Sequence, residues 1–382
     1  MINRCPACEG TRRESVFQMR GVPVFCNVLF TSRQDAEAAA LGDIDLVVCP
    51  DCSLLYNAAF DDQIVDYSPA YENSLHHSAV FRDFVEGLAD RLISTYGIRD
   101  ADIVEIGAGG GLFLNLLCEK GANRGFGYDP SHDPQRYQSH PLVTVVAEPY
   151  PETLDHAAKL VCSQHVLEHL TDPRTLVSTV RRSLEDLPEA VVYHEVPDAT
   201  HMVEQVAIWD LIYEHVSYFS ATSLAQLHRS CGFEVLETRT DFGGQFLSIE
   251  AVPGSVSTEV VDPTADLERA RSFGSDAAAR ISEWSDRLSE LVSDGPTVIW
   301  GAGSKGVQFL NAVDGADAVV AAVDLNPHKW GRFVPGGGHP VIGPDSLVEL
   351  APSHVIAMNP IYAQEIADQL SDLGLAARVH SM

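Results

Sequence analysis

Along this chain, short apolar runs alternate with longer stretches in which apolar residues recur every three or four positions. The short runs, bounded by turn residues, read as buried strands; the three-to-four spacing reads as helix. The middle of the chain shows the alternation best. Ala101–Ile106 predicts a strand, 107–111 a glycine-rich turn, and Leu112, Phe113, Leu114, Leu116 and Leu117 a helix. Gly125–Tyr128, Leu160–Ser163 and Ala190–Val196 predict further strands, and an amphipathic helix over Ser78–Tyr96 leads into the series. Beyond Pro253-Gly254, a polar helical connector spans Asp266–Val292, with a break expected at Gly274. Asp294-Gly295-Pro296 ends it, and the pattern predicts a strand at Thr297–Trp300, a helix at Val307–Val313 and a strand at Ala318–Val323. Near the N-terminus, shorter strands are expected around Val22–Phe30 and Asp43–Val48. Three domains follow, at about 1–64, 65–253 and 254–382, the last opening on the connector. The fold class is α/β, with helices covering both faces of largely parallel sheets.

Composition narrows the partners. The chain has 382 residues, 45% of them hydrophobic, enough for a full core in each domain. A net charge of -29 argues against nucleic acid, because counterion release needs clustered Lys and Arg. It also argues against an anionic membrane surface. Met1-Ile2-Asn3-Arg4 opens no signal peptide and no run is long enough to cross a bilayer, so a cytoplasmic protein is expected. The expected partner is a small molecule, bound by a monomer or small homo-oligomer. Eight cysteines in such a protein do not suggest a disulfide framework.

Four of those cysteines form two C-x-x-C pairs, Cys5-Pro-Ala-Cys8 and Cys49-Pro-Asp-Cys52. Each pair sets two thiolates on one tight turn, and two such turns close a tetrahedron around Zn²⁺. Four thiolates leave no open coordination position, so a structural rather than catalytic zinc is expected. Redox chemistry is the alternative, but neither pair follows a thioredoxin-like βαβ pattern.

The glycine turn carries the cofactor argument. Glu105-Ile106-Gly107-Ala108-Gly109-Gly110-Gly111 reads E-x-G-x-G-x-G, and Asp129 with Pro130 follows the next predicted strand about twenty residues on, where a carboxylate meets a ribose diol. This form resembles motif I of class I methyltransferases, which bind S-adenosylmethionine (SAM). The resemblance implies a SAM site made by Glu105, Gly107, Ala108, Gly109, Gly111, Asp129 and Pro130. Gln164 and His165, at the end of a later strand, face the same crevice. His165-x-x-Glu168-His169 also spells an inverted zinc-protease motif, but the strand end and Pro173 leave no room for the long helix that motif needs. Downstream, Glu214-His215 sits among aromatic residues, where an imidazole can act as a neutral base. Ser220 or Thr222 there also suits a helix N-cap.

A second glycine loop, Gly301-Ala302-Gly303-Ser304-Lys305-Gly306, follows the strand at Thr297–Trp300. By itself it suggests a nicotinamide cofactor. It equally suits a phosphate-binding loop for a nucleotide-linked substrate, with Lys305, Lys329 and Arg332 supplying charge.

Taken in order, these marks resemble the three-domain C-methyltransferases that act on nucleotide-linked keto-deoxysugars, including enzymes of antibiotic sugar pathways. The resemblance covers nearly the whole chain. It rests on Cys5, Cys8, Cys49 and Cys52, on V-E-I-G-A-G-G-G, on H-V-L-E-H, on Glu214-His215 with Tyr218-Phe219-Ser220, on Gly243-Gly244 and on G-A-G-S-K-G. It implies a zinc-binding N-terminal domain, a class I methyltransferase domain and a Rossmann-like C-terminal domain. It further implies His215 as base with Glu214 stabilising its imidazolium, and His169 and Tyr71 completing the pocket. Tyr213, Tyr218, Gly303, Ser304, Lys305, Lys329 and Arg332 would face the substrate. The family tends to read Y-H-E-H where this chain reads Ile212-Tyr213-Glu214-His215, which marks a distinct branch. O- or N-methylation, an NAD(P)-dependent oxidoreductase and a non-catalytic SAM-binding module remain alternatives.

Overall fold

The computed structural model describes residues 2–65, 74–133, 140–257 and 262–382. Tyr71 lies outside them. The N-terminal part holds strands β1 (Glu14–Pro23), β2 (Leu41–Val48) and β3 (Leu55–Asn57), with a short helix α1 (Arg33–Glu37) between the first two. The middle part runs α2 (Ala79–Tyr96), β4 (Asp102–Ile106), α3 (Leu112–Gly121), β5 (Arg124–Tyr128), β6 (Val143–Val146), β7 (Ala158–Gln164), α4 (Pro173–Ser183), β8 (Val191–Pro197), α5 (Ala199–Glu204), β9 (Ser217–Tyr218), α6 (Ala221–Ser230), β10 (Phe233–Asp241) and β11 (Phe246–Pro253). A long helix α7 (Thr264–Asp294) leads to β12 (Thr297–Trp300), α8 (Ser304–Ala312), β13 (Ala322–Val323), β14 (Val341–Ile342), α9 (Leu347–Leu350), β15 (His354–Ala357), α10 (Ala363–Asp372) and β16 (Arg378–Ser381).

The central sheet has the order β10-β11-β8-β7-β4-β5-β6. β4 to β8 are parallel, and β11 pairs antiparallel with β8 and β10. The strand order reverses at β4, and in open α/β sheets ligands bind at such a switch point, beyond the strands' carboxyl ends. The C-terminal sheet, β14-β13-β12-β15-β16, is wholly parallel and reverses at β12. The small N-terminal sheet, β1-β2-β3-β9, takes its last strand from the middle of the chain: Ser217 and Tyr218 pair with Tyr56 and Leu55. This pairing anchors the segment that carries His215.

Local chemistry sets many boundaries. Ser78 caps α2 through the Phe81 amide, and Asp172 caps α4 with Pro173 in its first turn. Ser220 and Ser223 form a reciprocal capping box on α6. The expected break at Gly274 is absent, and α7 is one helix of 31 residues. A Cβ at Gly274 would sit 2.1 Å from the carbonyl oxygen of Val16, so the glycine lets β1 lie against the helix rather than ending it. Phe17 and Phe273 meet edge-on beside that contact, at 6.2 Å. Val22–Phe30 is also not a strand: pairing stops at Pro23, and Phe30 makes only an isolated bridge to Phe333. One continuous core links the N-terminal sheet, the 199–218 segment, α7 and α8. No described helix is long and apolar enough to cross a membrane.

Candidate active site

Strand register brings the first set of predicted residues together. Ile106 is paired with Tyr128 on one side and Ser163 on the other, so Gly107, Asp129 and Gln164 leave adjacent strand ends. Gly107, Gly109 and Gly111 all have positive φ, of 70°, 49° and 72°. A Cβ on Gly107 would meet Val166 at 2.4 Å, so this turn admits no side chain there. Asp129 is buried and organises the crevice. Its Oδ2 accepts the Gly109 amide at 2.7 Å, and its Oδ1 accepts the amide and hydroxyl of Ser131, both at 2.7 Å. His132 donates from Nδ1 to the Gly109 carbonyl at 2.7 Å. Glu105 is 4% exposed and takes the Leu114 amide at the start of α3; burial pushes its carboxyl up to about 8. Ala108 is buried against the turn, whereas Pro130 is exposed.

A second set of side chains faces a cavity of about 300 Å³ that lies between the three parts of the chain. Its wall holds His165, Glu168, His169, His215 and Tyr218 at one end, and Gly301, Gly303, Ser304, Lys305, Gly306 and Lys329 at the other. The rings of His169 and His215 meet edge-to-face with centroids 4.9 Å apart. His169 donates its Nδ1 hydrogen to the Glu214 carbonyl at 3.0 Å, which in the neutral ring leaves the lone pair on Nε2. Nδ1 of His215 is buried without a hydrogen bond. Burial, reinforced by the charges of His169, His165 and Lys305, holds the His215 imidazolium far below its usual range. At neutral pH the ring is therefore an uncharged acceptor of protons.

His165 stands on a strained turn, with φ at 54°. The turn points its Nδ1 to Glu168 Oε1 at 3.3 Å and its Nε2 to Glu195 Oε1 at 3.5 Å. Burial opposes its protonation, but the two carboxylates win and raise its pKa. Gln164 donates to Glu195 at 3.1 Å, so the expected cofactor residue is fastened to the same network.

The glycine loop of the C-terminal sheet has the same construction as that of the central sheet. Asp324 Oδ2 accepts the Ala302 amide at 3.0 Å, as Asp129 accepts that of Gly109. A Cβ at Gly306 would lie 2.0 Å from the Gly301 carbonyl, so this glycine permits the close helix–strand approach. The first amides of α8 carry no side-chain cap and open on the cavity. Lys305 is paired with Asp210, and Lys329 lies 3.2 Å from Asp324.

Comparison with known proteins identifies the chemistry. Residues 77–238 match a family described as methyltransferase domain, and residues 247–376 match one described as C-methyltransferase C-terminal domain. The C-methyltransferase NovU of Streptomyces niveus is 26% identical over 391 residues, covering 96% of this chain and 92% of NovU. This chain is a SAM-dependent methyltransferase. Among solved structures, the methyltransferase is similar to the 1,6-didemethyltoxoflavin-N1-methyltransferase of Burkholderia thailandensis (19% identity, TM-score 0.36, covering 46% of this chain and 82% of that one). It is also similar to the magnesium protoporphyrin IX methyltransferase of Synechocystis PCC 6803 (15% identity, TM-score 0.37, covering 49% and 91%).

Several expected residues stand elsewhere in the methyltransferase. Tyr213 does not line the cavity: its ring stacks on Phe60 at 5.2 Å, and its hydroxyl takes the Asp61 amide at 2.8 Å. Gly42 makes room for that ring, since a Cβ there would lie 2.3 Å from it. Arg332 is exposed and off the cavity wall. The Glu214 carboxylate turns to the N-terminal part of the chain, where it accepts the Cys26 amide at 2.8 Å; toward the cavity Glu214 presents its backbone, through His169. Asn27, Asp210, Gln245 and Asn359 line the cavity without having been expected. They sit in loops with no motif around them, and only the fold gathers them. Glu168 stands within the H-x-x-E-H motif and Asp324 directly after the strand expected at Ala318–Val323, and neither has a role assigned from sequence.

Off the cavity wall, Cys5 and Cys52 bring their sulfurs to 3.5 Å, Cys8 and Cys49 to 3.6 Å, and all four lie within 4.8 Å of one another. A tetrahedral zinc with Zn–S bonds of about 2.3 Å has S···S edges of about 3.8 Å. The turns match too: Glu9 and Ser53, each following the second cysteine of its pair, have φ of 60° and 58°.

Proposed function

We propose that this methyltransferase forms a carbon–methyl bond next to a ketone, on a nucleotide-linked keto-deoxysugar or similar small molecule, with His215 as the base. The observation that carries this is the half-buried His215 ring, its buried Nδ1 without a hydrogen bond, in a cavity that also holds an anion-ready glycine loop. The similarity to NovU over nearly the whole chain and the C-methyltransferase description of its C-terminal part support the choice of carbon.

The residues around Gly107, Gly109, Asp129 and Gln164 would hold SAM, Asp129 by its ribose diol. SAM when bound supplies an electrophilic methyl group on a sulfonium. His215 takes the proton from the carbon beside the acceptor's carbonyl, and the C–H electron pair moves into an enolate. In its neutral form His169 offers only a lone pair at Nε2, so it steadies an enolate oxygen once it has itself been protonated. The amides at the start of α8, with Ser304, Lys305 and Lys329, would receive the acceptor's phosphates. Lys305 is then shared with Asp210. Such a base contributes about 10²–10⁴-fold to the rate. We also propose that Cys5, Cys8, Cys49 and Cys52 hold a structural zinc, and that the protein works in the cytoplasm.

The test uses SAM carrying a ¹³C methyl and a panel of nucleoside-diphosphate-linked keto-deoxyhexoses. The product's carbon spectrum is expected to show the label bonded to carbon. A label on oxygen or nitrogen would replace the C-methylation reading with O- or N-methylation. His215→Gln is expected to bind S-adenosylhomocysteine normally and lose turnover by about 10²–10⁴-fold.

A further inference from the structure

The base just described lacks the counter-ion that its neighbour in sequence was expected to supply. A proton arriving on His215 enters a region already facing His165 and His169 from the turn after β7 and Lys305 from α8, with the Tyr218 ring packed alongside. Lys305 is balanced by Asp210. The Glu214 carboxylate is engaged with Cys26. Among the described residues, Glu168 is the carboxylate grouped with both the His169 and His215 rings, while Glu195 faces His165.

We propose that Glu168 is the counter-ion of the His169–His215 pair, and that its buried carboxylate holds the positive charge formed when His215 takes the acceptor's proton.

Four observations support this positioning role. Glu168 is 1% exposed, and among the described residues neither of its carboxylate oxygens has a hydrogen bond, while His165 Nδ1 approaches at 3.3 Å. A carboxylate so placed has given up water and needs positive charge nearby. A carboxylate oxygen of Glu168 and one ring nitrogen each of His169 and His215 all lie within 4.8 Å of one another, close enough for charge to act. The backbone fixes the arrangement, since the Glu168 carbonyl accepts the Val216 amide at 2.7 Å, beside His215. Finally, His169 already points its Nδ1 hydrogen at the Glu214 carbonyl, so its Nε2 can take a proton passed on by His215. The acceptor's carbon thus loses one proton, the imidazole pair gains it, and the charge rests between Glu168 and the Glu214 carbonyl. The strained φ of His165 fits the same scheme, because it brings a third imidazole to Glu168.

The proposal rests on the base reading above, but its first test needs no acceptor. Nitrogen-15 NMR of the imidazoles in the unliganded protein follows the protonation of His165 and His169. In Glu168→Gln, with the melting temperature used to show that the protein is folded, the protonation constants of both are expected to fall about tenfold or more. Glu168→Asp is expected to restore part of this, and Glu214→Gln to leave His165 unchanged. Unchanged constants in folded Glu168→Gln overturn the proposal whatever the enzyme methylates. The second test uses the keto-sugar that wild type turns over. Glu168→Gln is expected to lower kcat by about tenfold or more with KM nearly unchanged, and to move the acid limb of the pH profile to lower pH. A profile that keeps its limb while KM rises marks Glu168 as a substrate contact and overturns the counter-ion role. Were no keto-sugar methylated, the function reading would fail while the imidazole test still decided this one.

Discussion

Asp129→Asn perturbs the cofactor crevice with almost no change of volume. In wild type the two carboxylate oxygens serve different donors, Gly109 on one and Ser131 on the other. An amide offers one oxygen, so its NH₂ group must face one of those N–H donors. Leaving one buried donor unsatisfied costs about 1–3 kcal/mol, which appears as lost stability. The missing charge on the ribose contact costs a further ~1.5–3 kcal/mol, which appears as weaker binding. Calorimetry with S-adenosylhomocysteine at 25 °C is therefore expected to show a Kd raised about 10–150-fold, with the stoichiometry unchanged. Glu and Gln are poor controls because they lengthen the side chain; Ser131→Ala, which removes only the hydroxyl, is a better one and is expected to weaken binding far less. A Kd for Asp129→Asn within threefold of wild type, in folded protein, would show that the nucleoside does not lie against this carboxylate.

Three further outcomes follow from the geometry. Elemental analysis is expected to find one equivalent of zinc per chain in wild type and none in Cys49→Ser, which should also melt at a lower temperature; wild-type protein with no bound zinc refutes the tetrathiolate site. Gly274→Ala gains about 1 kcal/mol of helix propensity but forces a methyl toward the Val16 carbonyl, an overpacking cost of about 1–3 kcal/mol, so calorimetry should show a lower melting temperature. A rise would mean that β1 yields freely. Glu105 keeps its proton up to about 8 when folded, against 4.5 for the free group, so the folded protein binds the extra proton between those values and stability falls as pH rises through that window. Glu105→Gln is expected to flatten that fall in denaturant midpoints measured from pH 5 to 8; an unchanged slope refutes the burial argument.

The elements that were legible in the sequence are those set by local chemistry. Positive-φ glycines, capping serines and aspartates, and the strands leading into both glycine loops need only neighbouring residues to declare themselves. What escaped depends on distant partners. Gly274 looks like a helix break because glycine weakens a helix, yet its reason is a carbonyl on a strand 258 residues earlier. Tyr213, Glu214 and His215 are consecutive, but neighbouring side chains leave an irregular backbone in different directions. One packs on Phe60, one reaches the Cys26 amide and one faces the cavity. The family resemblance implies a pocket role for all three because they stand together in one motif. Its charge beside Lys329 makes Arg332 look like a phosphate ligand, but the turn between them leaves it in solvent. Asp210 carried no signal at all, because its ion pair with Lys305 exists only once the middle and C-terminal parts close on each other.

The central claim is that His215 withdraws a proton from the carbon that becomes methylated. Wild-type enzyme, saturated with S-adenosylhomocysteine so that no methyl can move, should be incubated with the keto-sugar acceptor in D₂O. Proton NMR is expected to show the hydrogen beside the ketone exchanging for deuterium, and His215→Gln to stop that exchange while still binding S-adenosylhomocysteine. Exchange that proceeds equally in the variant, or a wild-type enzyme that methylates this carbon without ever exchanging its hydrogen, would contradict the account.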